Sequence, residues 1–562
     1  MMYVSVRGVT DGRRPPRPIP CLSDDRHTMT NRITDRISRR NVLKTIAVSG
    51  TAGLAGCGGD TGGTPTAGPT DVPPLDAGIH EWGQRLNDHA REAGIDWQQF
   101  EGDGIELTFG MGLHPYSTTL SREAEEERNG NTMVKDYFED LTGITVNYEI
   151  VSEDQFWLET EEALDTSDGT ENPYDGIMNG LWPAGGYHYG TDGESWVRDL
   201  TQYIDNASLT DQDWLRMDDF LDQTIELMSF PNEDGTVDFI GFPNGIETYG
   251  CTALHRPTLD ELGLGTPSNY TELNEFARQI SEADNGREGI VSRTSSTTLS
   301  AANWGTMFKT YGADWIDRQE RVATLNSEEG VASLELFGNM LNQYGPSPPG
   351  ADDWYANNNH YSNEEVGMMY STPQTSGIVD TQVMENTQWI PPLEGPNGEE
   401  PVSDTWVWST AITATSDNPE AAWLYLQWAN SRAANLMLST RQWAGDDPRA
   451  GYARFNYVRD QVNQGNVPPV PGEGYLETFQ QGMAAVPGGD PDNPGEYPPV
   501  PVDTNQNMNI MSEAAQAMSR VVSGQNDAQS ALDNAATRID DAGYVTNIPD
   551  YYVADDRFLN RY

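Results

Sequence analysis

Short segments of the chain alternate between apolar and polar residues, as strands with one buried face do. Residues 105–109 are apolar at every second position, and residues 144–150 repeat this alternation. A helical stretch over residues 136–141 lies between them and ends before Gly143, a residue type that commonly closes helices. The order strand, helix, strand predicts a βαβ unit and an α/β layered fold.

Further along the chain, the apolar period becomes that of helices. Apolar residues recur at spacings of three and four in three segments, namely 273–280, 331–344 and 421–428. We expect Thr271 to cap the first of these helices and Pro419 to open the last. Residues 511–541 predict one or two C-terminal helices. A body of this length is large enough for two lobes.

The N-terminal part of the chain reads as an export signal. Arg39 and Arg40 form a twin-arginine pair, which precedes the weakly apolar residues 45–56. Those 12 residues are too few to span a membrane, because a span needs about 20. A basic region, a short apolar region and then small residues are typical of a cleaved export signal. Met29 offers a second start, in which case residues 1–28 are not translated.

Cys57 follows this signal in the order Leu-Ala-Gly-Cys, which resembles the lipobox of lipoproteins. Acylation of Cys57 would anchor the protein to the outer face of the cell membrane; the alternative is a cysteine that follows the signal by chance. From residue 58 the chain is rich in Gly, Thr and Pro. We therefore predict a flexible tether over residues 57–103, with the folded body starting at residue 104.

The excess of acidic over basic residues indicates the environment in which the protein works. Residues 1–56 hold ten of the 33 basic and four of the 87 acidic residues, which leaves 23 against 83, a net charge of −60, for residues 57–562. In molar salt the Debye length is only about 3 Å, so the self-repulsion is screened. We predict adaptation to concentrated brine, as in a haloarchaeon. The 15 Trp, 24 Tyr and 14 Phe argue against a disordered chain, and the lack of a basic patch excludes nucleic-acid binding.

Several enzyme signatures are absent from the sequence. It contains no phosphate-binding loop, no dinucleotide-binding glycine motif, no Gly-x-Ser-x-Gly elbow and no His-Glu-x-x-His motif. Cys251 is the one cysteine in the body, and we interpret it as a small buried hydrophobe rather than a nucleophile. We expect no catalytic residue, no cofactor and no metal.

Tryptophans stand out beside strand ends and loops. Trp182 follows the strand-like residues 174–178, Trp304 follows an asparagine, and Trp406 and Trp408 are two positions apart. Indole faces stack on the C–H faces of sugars, while acids and amides bond the hydroxyls. The pattern therefore indicates a carbohydrate-binding site, and the alternative for each tryptophan is a place in the core.

Eight segments carry a family resemblance when they are taken in order. They are residues 138–148, 174–177, 196–201, 254–273, 367–369, 417–423 (DNPEAAW), 447–449 (DPR) and 514–542. In this order they resemble the extracellular solute-binding proteins of the maltose-binding type, which serve ABC sugar importers. The resemblance covers nearly all of the chain from residue 104.

The resemblance implies an α/β fold of the type II periplasmic-binding-protein kind, with two discontinuous lobes, a hinge and a central ligand cleft. It assigns residues 104–248 and 390–435 to the first lobe and residues 249–389 and 436–562 to the second. Ligands of open α/β sheets bind beyond the strand ends that face such a cleft.

The same resemblance implies a set of ligand-binding residues. They are Trp182, Glu247, Trp304, Trp406, Trp408, His114 and Gln374. Glu247 matches a hinge-strand position where the family carries a sugar-binding acid, and a buried carboxylate makes charge-assisted hydrogen bonds with hydroxyls.

The resemblance implies a protein that binds a solute and catalyses no reaction. A sugar or similar small solute enters the cleft, the lobes close, and the closed form docks on an ABC permease. The expected partners are the solute, the permease subunits and, through the lipid anchor, the membrane, with the protein itself a monomer. The alternative is a lipid-anchored carbohydrate-active enzyme, a glycosidase, which needs two carboxylates about 5–9 Å apart.

Overall fold

The computed structural model describes residues 79–121, 123–128, 131–165, 173–190, 194–283, 285–439, 453–467, 470, 472–486, 506–546, 548 and 550. The predicted export signal with Arg39 and Arg40, the predicted lipidation site Cys57 and the first part of the predicted tether lie outside these residues. None of the described helices is both long and apolar enough to cross a membrane.

Strands and helices alternate through most of the described residues. The strands are β1 Glu106–Gly112, β2 Glu123–Arg128, β3 Asn131–Met133, β4 Thr145–Val151, β5 Gly176–Gly180, β6 Ser229–Pro231, β7 Val237–Phe239, β8 Phe242–Thr248, β9 Cys251–His255, β10 Glu288–Val291, β11 Ile316–Asp317, β12 Val322–Ala323, β13 Val366–Ser371, β14 Thr387–Ile390 and β15 Thr405–Ile412.

The α-helices of the first half are α1 Ile79–Ala90, α2 Pro115–Leu120, α3 Tyr137–Thr142, α4 Glu153–Asp165, α5 Leu181–Tyr189, α6 Thr201–Ile204, α7 Gln212–Leu215, α8 Asp222–Leu227, α9 Arg256–Glu261 and α10 Tyr270–Glu282. Those of the second half are α11 Ala301–Thr310, α12 Glu328–Tyr344, α13 Trp354–Ser362, α14 Thr381–Glu385, α15 Pro419–Ala429, α16 Arg432–Ser439, α17 Phe455–Asn463, α18 Tyr475–Ala484, α19 Asn507–Val522 and α20 Ala528–Ala542. Short 3-10 turns lie at Val134–Asp136, Met217–Asp219, Thr298–Ser300 and Pro373–Gly377.

The first lobe is built on a five-stranded sheet in the order β4-β1-β5-β15-β8. Strand β1 pairs in parallel with β4 and β5, whereas β15 runs antiparallel to both β5 and β8. Four strands therefore point the same way, and β15 returns against them. The second lobe is built on a four-stranded sheet in the order β10-β13-β9-β14, in which β10 and β13 are parallel and β9 is antiparallel to its neighbours.

Two of the chain crossings between the lobes lie side by side. The first leads from the carboxyl end of β8 to the amino end of β9, and the second leads into the amino end of β15. They are bonded to each other, since the Tyr249 N–H donates to the Asp404 carbonyl at 2.9 Å and the hydroxyls of Thr248 and Ser403 are 2.7 Å apart. Gly250 lies between β8 and β9 with φ at 75°, and a Cβ there would stand 2.1 Å from Thr306 Cγ2, so only glycine fits.

The βαβ unit and the α/β fold predicted from the sequence are confirmed. Strands β1 and β4 are parallel neighbours, and α3 between them ends at Gly143 with φ at 75°. Pro419 opens α15 as predicted. The cap of α10 is different from the prediction, because the Asn269 side chain, not Thr271, accepts the N–H of Glu272. Cys251 is fully buried, and burial raises the pKa of its thiol.

The predicted tether ends too late in the sequence. Helix α1 lies inside the range that we assigned to it, and its Trp82 and Leu86 are fully buried. Asn87 donates to the Tyr137 carbonyl at 2.7 Å and accepts from the Trp428 indole at 3.0 Å, so the helix is fixed to the first lobe. The apolar spacing of four residues within α1 was the signal for a helix packed on the body.

The assignment of residues 436–562 to the second lobe is also partly wrong. Arg454 is almost fully buried and donates to the Leu215 carbonyl at 2.8 Å and to Asp219 at 3.1 Å, both of which precede β8 in the first lobe. Helix α17 follows directly and packs on that lobe, where Asn456 donates to the Phe220 carbonyl at 3.1 Å. A buried guanidinium needs such partners, and they fix this segment to the first lobe.

Candidate functional site

Strand directions bring several predicted site residues to one edge of the first sheet. The carboxyl ends of β1, β5 and β8 and the amino end of β15 meet there, because β15 alone runs in the opposite direction. His114 follows β1, Trp182 follows β5, and Glu247 is the last residue but one of β8, opposite Trp406. The crossings to the second lobe leave from this same edge, so the site faces the other lobe, as expected for a ligand cleft.

Four tryptophans form what we call the indole cluster at this edge: Trp157, Trp182, Trp406 and Trp408. The ring centroids of Trp406 lie 5.1 Å from Trp182 and 5.3 Å from Trp408. Trp157, on α4, stacks on Trp408 and meets Trp406 edge to face, in both cases at 5.9 Å. These spacings are those of attractive aromatic pairs.

The local sequence explains why the cluster forms. Trp406 and Trp408 are two residues apart on one strand and therefore point to the same face of the sheet. Gly180 leaves the space for them, since a Cβ at this position would stand 2.1 Å from the Trp406 ring. A larger residue at the end of β5 would displace the indole that contacts Trp182.

Glu247 is held beside the cluster by two neutral donors. The Trp408 indole donates to its Oε1 at 2.9 Å, and the Tyr249 hydroxyl donates to its Oε2 at 2.8 Å. The His114 ring lies 4.3 Å from the Trp408 ring, and its Nδ1 accepts the N–H of Tyr116 at 3.3 Å. Both side chains are buried, so they orient Trp408 from two sides.

Other donors at this edge have no acceptor among the described residues. The buried Nε1 atoms of Trp157, Trp182 and Trp406 and the buried Nδ2 of Asn179 form no hydrogen bond there. Asn179 precedes Gly180, the last residue of β5, and its Oδ1 accepts the Gly180 N–H at 2.8 Å. A buried donor without an acceptor costs about 1–3 kcal/mol. Donors gathered in this way fit a ligand that offers several oxygen atoms.

The second lobe contributes polar groups from two of its strand ends and from the start of a helix. Gln374 follows β13 on a turn that packs against β8, and its buried Nε2 has no partner among the described residues. Asn507 begins α19 and donates to the Trp182 carbonyl at 2.8 Å, while its Oδ1 is buried without a partner there. Arg293 follows the parallel neighbour β10, with its guanidinium 5.5 Å from the centre of the Trp354 ring.

Arg293 is unusual among the basic residues. It is 7 % exposed, its Nε has no hydrogen-bond partner, and it forms no ion pair within the described part of the chain. Buried cations are normally paired or bound to a ligand. Arg293 therefore places a cation, unpaired within the described residues, at the carboxyl end of β10, the same sheet edge at which Gln374 follows β13.

Trp304 does not join the indole cluster. It lies on α11 in the core of the second lobe, 5.3 Å from Trp315 and 5.0 Å from Phe308, and its indole donates to the Ser333 hydroxyl at 3.1 Å. The prediction that Trp304 binds ligand disagrees with this placement, because its ring and its N–H already have protein partners. Its helical context, with a buried face toward α12, was the signal for a core residue.

Sequence reasoning missed Trp157, Asn179, Arg293 and Asn507. Trp157 and Arg293 each follow a strand, which is the signal that selected Trp182. Arg293 also stands out as a basic residue after an apolar strand in a strongly acidic chain. Asn507 had no signal, because chain folding alone brings α19 to Trp182. Among the described residues, no group of three or more His, Cys, Asp or Glu side chains is placed to hold a metal.

Comparison with known proteins gives a consistent result. Residues 123–436 match the family model described as bacterial extracellular solute-binding protein. The erythritol/L-threitol-binding protein of Mycolicibacterium smegmatis is 24 % identical over 474 residues, which cover 79 % of this chain and 86 % of that protein.

Two solved structures share the fold. A solute-binding protein of an ABC transporter from Agrobacterium radiobacter, in complex with ribitol, aligns with a TM-score of 0.62 and 19 % identity over 79 % of this chain and 99 % of its own. Another from Agrobacterium vitis, with bound D-mannitol, aligns with a TM-score of 0.61 and 18 % identity over 79 % and 100 % of the two chains. The described architecture is thus the two-lobed type II fold of periplasmic binding proteins.

Proposed function

This chain belongs to the family of bacterial extracellular solute-binding proteins, and from that premise we propose that it captures a linear polyol or similar small sugar between its lobes for an ABC importer. It is a binding protein and not an enzyme. The similar proteins described above bind erythritol, L-threitol, ribitol or D-mannitol. Each of these is an uncharged chain with one hydroxyl on every carbon.

The observation that carries the proposal is the set of buried donors without acceptors. Trp157, Trp182 and Trp406 in the first lobe and Gln374 in the second offer N–H groups that the described protein does not satisfy. The hydroxyl oxygens of a polyol accept such bonds, and its C–H groups pack on the indole faces. Because the donors come from both lobes, a bound polyol would hold the lobes together.

The glycosidase alternative finds less support at this site. A glycosidase needs one carboxyl group to transfer a proton and a second to act as nucleophile or base. Both oxygens of Glu247 already accept hydrogen bonds, from Trp408 and Tyr249. That carboxylate is positioned to orient an indole and to bind a hydroxyl rather than to carry out chemistry.

Binding calorimetry of the full chain in molar KCl tests the proposal. Erythritol, ribitol, D-mannitol and maltose form the panel, and each is recovered and analysed after the titration. We expect one-to-one binding of an alditol, with the ligand recovered intact. Binding of maltose alone would move the ligand class to ring sugars, and hydrolysis of maltose would contradict the binding function itself.

Export and anchoring complete the proposal. Arg39 and Arg40 direct the folded chain outward, and acylated Cys57 keeps it at the outer face of the membrane beside its permease. Changing Cys57 to Ser should release the protein into the medium, whereas changing both arginines to lysine should retain it in the cell. Protein that stays on the membrane after Cys57→Ser would contradict a lipid anchor.

The acidic composition supports a habitat of high salt. Residues 57–562 contain two lysines, Lys135 and Lys309, and both are buried beside an acid, Asp136 at 2.7 Å and Asp314 at 3.4 Å. The described surface therefore carries no lysine against its many carboxylates. We expect the midpoint of thermal unfolding to rise steeply between 0.1 and about 3 M KCl, as screening of this charge requires. A midpoint independent of salt would contradict the adaptation.

A further inference from the structure

Two asparagines of the sequence lie in the Asn-x-Ser/Thr pattern that oligosaccharyl transferases recognise. They are Asn206, in Asn206-Ala207-Ser208, and Asn269, in Asn269-Tyr270-Thr271. The pattern is an acceptor for N-linked glycans in exported proteins when it lies on the surface. The twin-arginine route predicted above exports folded proteins, so a transferase outside the cell would meet these sites in their folded form.

Asn206 lies on an exposed turn between α6 and α7, and Ala207 and Ser208 are exposed with it. Its Oδ1 accepts two hydrogen bonds from Ser208, from the backbone N–H at 3.0 Å and from the hydroxyl at 2.8 Å. The hydroxyl that the pattern requires is therefore already bonded to the acceptor amide. The Nδ2 of Asn206 forms no hydrogen bond within the described residues and remains accessible.

Hydrogen bonds on the buried side of the turn fix its backbone, so Asn206 is held in a defined geometry. The backbone N–H groups of Leu209 and Thr210 both donate to the Asn206 carbonyl at 2.9 Å. The Thr210 hydroxyl donates to the Tyr203 carbonyl at 2.7 Å and accepts from the buried Trp423 indole at 2.8 Å. A glycan on Nδ2 would extend into solvent without displacing any of these contacts.

Asn269 is held in a different way. Its Oδ1 caps α10 by accepting the Glu272 N–H at 2.9 Å, and its Nδ2 donates to the Ser268 hydroxyl at 3.3 Å. The next residue, Tyr270, is fully buried. Both ends of the Asn269 amide thus have protein partners, and the middle of its pattern is not exposed.

We propose that Asn206 is an N-glycosylation site of the exported protein and that Asn269 is not. The co-reactant is an oligosaccharide linked through phosphate to a polyprenyl lipid. Nδ2 attacks the anomeric carbon, a C–N bond forms, and the C–O bond to phosphate breaks with its electron pair on the lipid phosphate. The proton of Nδ2 passes to a base of the transferase. Hydrogen bonds to Oδ1 favour loss of that proton. The proposal depends on export and not on the identity of the ligand.

Peptide mass spectrometry of the full chain, exported by an archaeal host that N-glycosylates its own surface proteins, tests this assignment. We expect a glycan mass on the peptide that contains Asn206 and none on the peptide that contains Asn269. The Asn206→Gln and Ser208→Ala variants should lose the glycan, whereas Ser208→Thr and the matched control Asn269→Gln should keep it.

An unmodified Asn206 in cells whose own surface glycoprotein is modified would overturn the proposal. A glycan on Asn269, or a glycan that survives Ser208→Ala, would overturn it as well. Solute binding by each variant is measured in parallel, because both asparagines lie outside the proposed ligand site. Unchanged affinity in the Asn206→Gln variant then separates failure of glycosylation from failure of the binding function.

Discussion

Two groups of tryptophans lie in the first lobe, and both are buried, but their indole N–H groups differ. On α15, Trp423 donates to the Thr210 hydroxyl at 2.8 Å and Trp428 donates to Asn87 at 3.0 Å. In the indole cluster, only Trp408 has an acceptor, Glu247, while Trp157, Trp182 and Trp406 have none among the described residues. Burial alone therefore does not distinguish these two groups of tryptophans, whereas the hydrogen bonding of their indole N–H groups does.

The difference has a physical basis. Both indoles of α15 lie where the protein supplies a hydrogen-bond acceptor, and an unmet buried donor would lower stability. Under the proposed function, the cluster indoles leave that bond for the ligand, so the free protein is less stable and the complex gains both the bond and the stacking contact. The cluster lies at the strand ends beside the lobe crossings, which is where ligands of open α/β sheets bind.

The largest expected effect belongs to the core group. Replacing Trp423 by Ala removes an indole that stacks on Tyr203 and packs edge to face on Phe242, and it should lower the free energy of unfolding by about 3–5 kcal/mol. Urea unfolding at constant molar KCl measures this loss. The affinity of the folded fraction for its solute should stay within about twofold, since Trp423 packs on Phe242 at the amino end of β8 and the cluster lies near the carboxyl end of that strand. A selective loss of affinity without loss of stability would break the comparison.

Asp404, at the lobe crossing that leads into β15, is a second kind of buried polar residue with an atom that lacks a hydrogen-bond partner within the described residues. Burial raises the pKa of its carboxyl to about 7, against a smaller lowering by Lys309, and its Oδ2 has no hydrogen-bond partner among the described residues. In the folded state Asp404 keeps its proton up to this pH, whereas the unfolded chain releases it near pH 4. The free energy of unfolding should therefore fall as the pH rises from about 4 to 7, by about 4 kcal/mol from this group.

The Asp404→Asn variant isolates that contribution from the many other carboxylates. Its stability relative to the wild type should increase across the same pH range and then level off above pH 7. Urea unfolding of both proteins at several pH values gives this difference. A difference that does not depend on pH would show that Asp404 is ionised throughout and has a partner in the folded protein.

The smallest expected effect is that of replacing Trp by Phe, and it distinguishes the core tryptophans from the indole cluster most clearly. Trp→Phe keeps most of the ring and deletes the N–H. At Trp423 this change should cost about 1 kcal/mol of stability, because the Thr210 hydroxyl loses its donor. At Trp182 it should cost little or nothing in the free protein and should weaken solute binding by about tenfold. Equal stability losses at the two positions would contradict the distinction.

Much of the fold could be predicted from the sequence, because its periods are local. The alternation at residues 105–109, Gly143 and Pro419 each determine an element without help from distant residues. The errors arose where distant contacts decide. Helix α1 was assigned to the tether because its neighbours are rich in Gly and Pro, and Arg454 was assigned to the wrong lobe because its partner Asp219 lies far away in sequence.

The residues of the candidate site also fall into those that a local sequence pattern predicts and those that depend on contacts between distant residues. Strand direction brings together five residues that lie on strands of one sheet or directly after them, near one edge: Trp182, Trp406, Trp408, Glu247 and His114. Trp304 is also a tryptophan, but it lies on α11, where its ring contacts Trp315 and its indole donates to Ser333. Asn507 joins the site only through packing of α19 on α5, which no local pattern records.

The central claim is that the indole cluster, and not the tryptophans of the core, binds the solute. Calorimetry with the alditol that binds the wild type, repeated on Trp406→Ala and Trp304→Ala in molar KCl, tests it most directly. We predict that Trp406→Ala loses at least about 30-fold in affinity while remaining folded, and that folded Trp304→Ala binds within about twofold of the wild type. The opposite result, with affinity lost in Trp304→Ala and kept in Trp406→Ala, would contradict the assignment of the site.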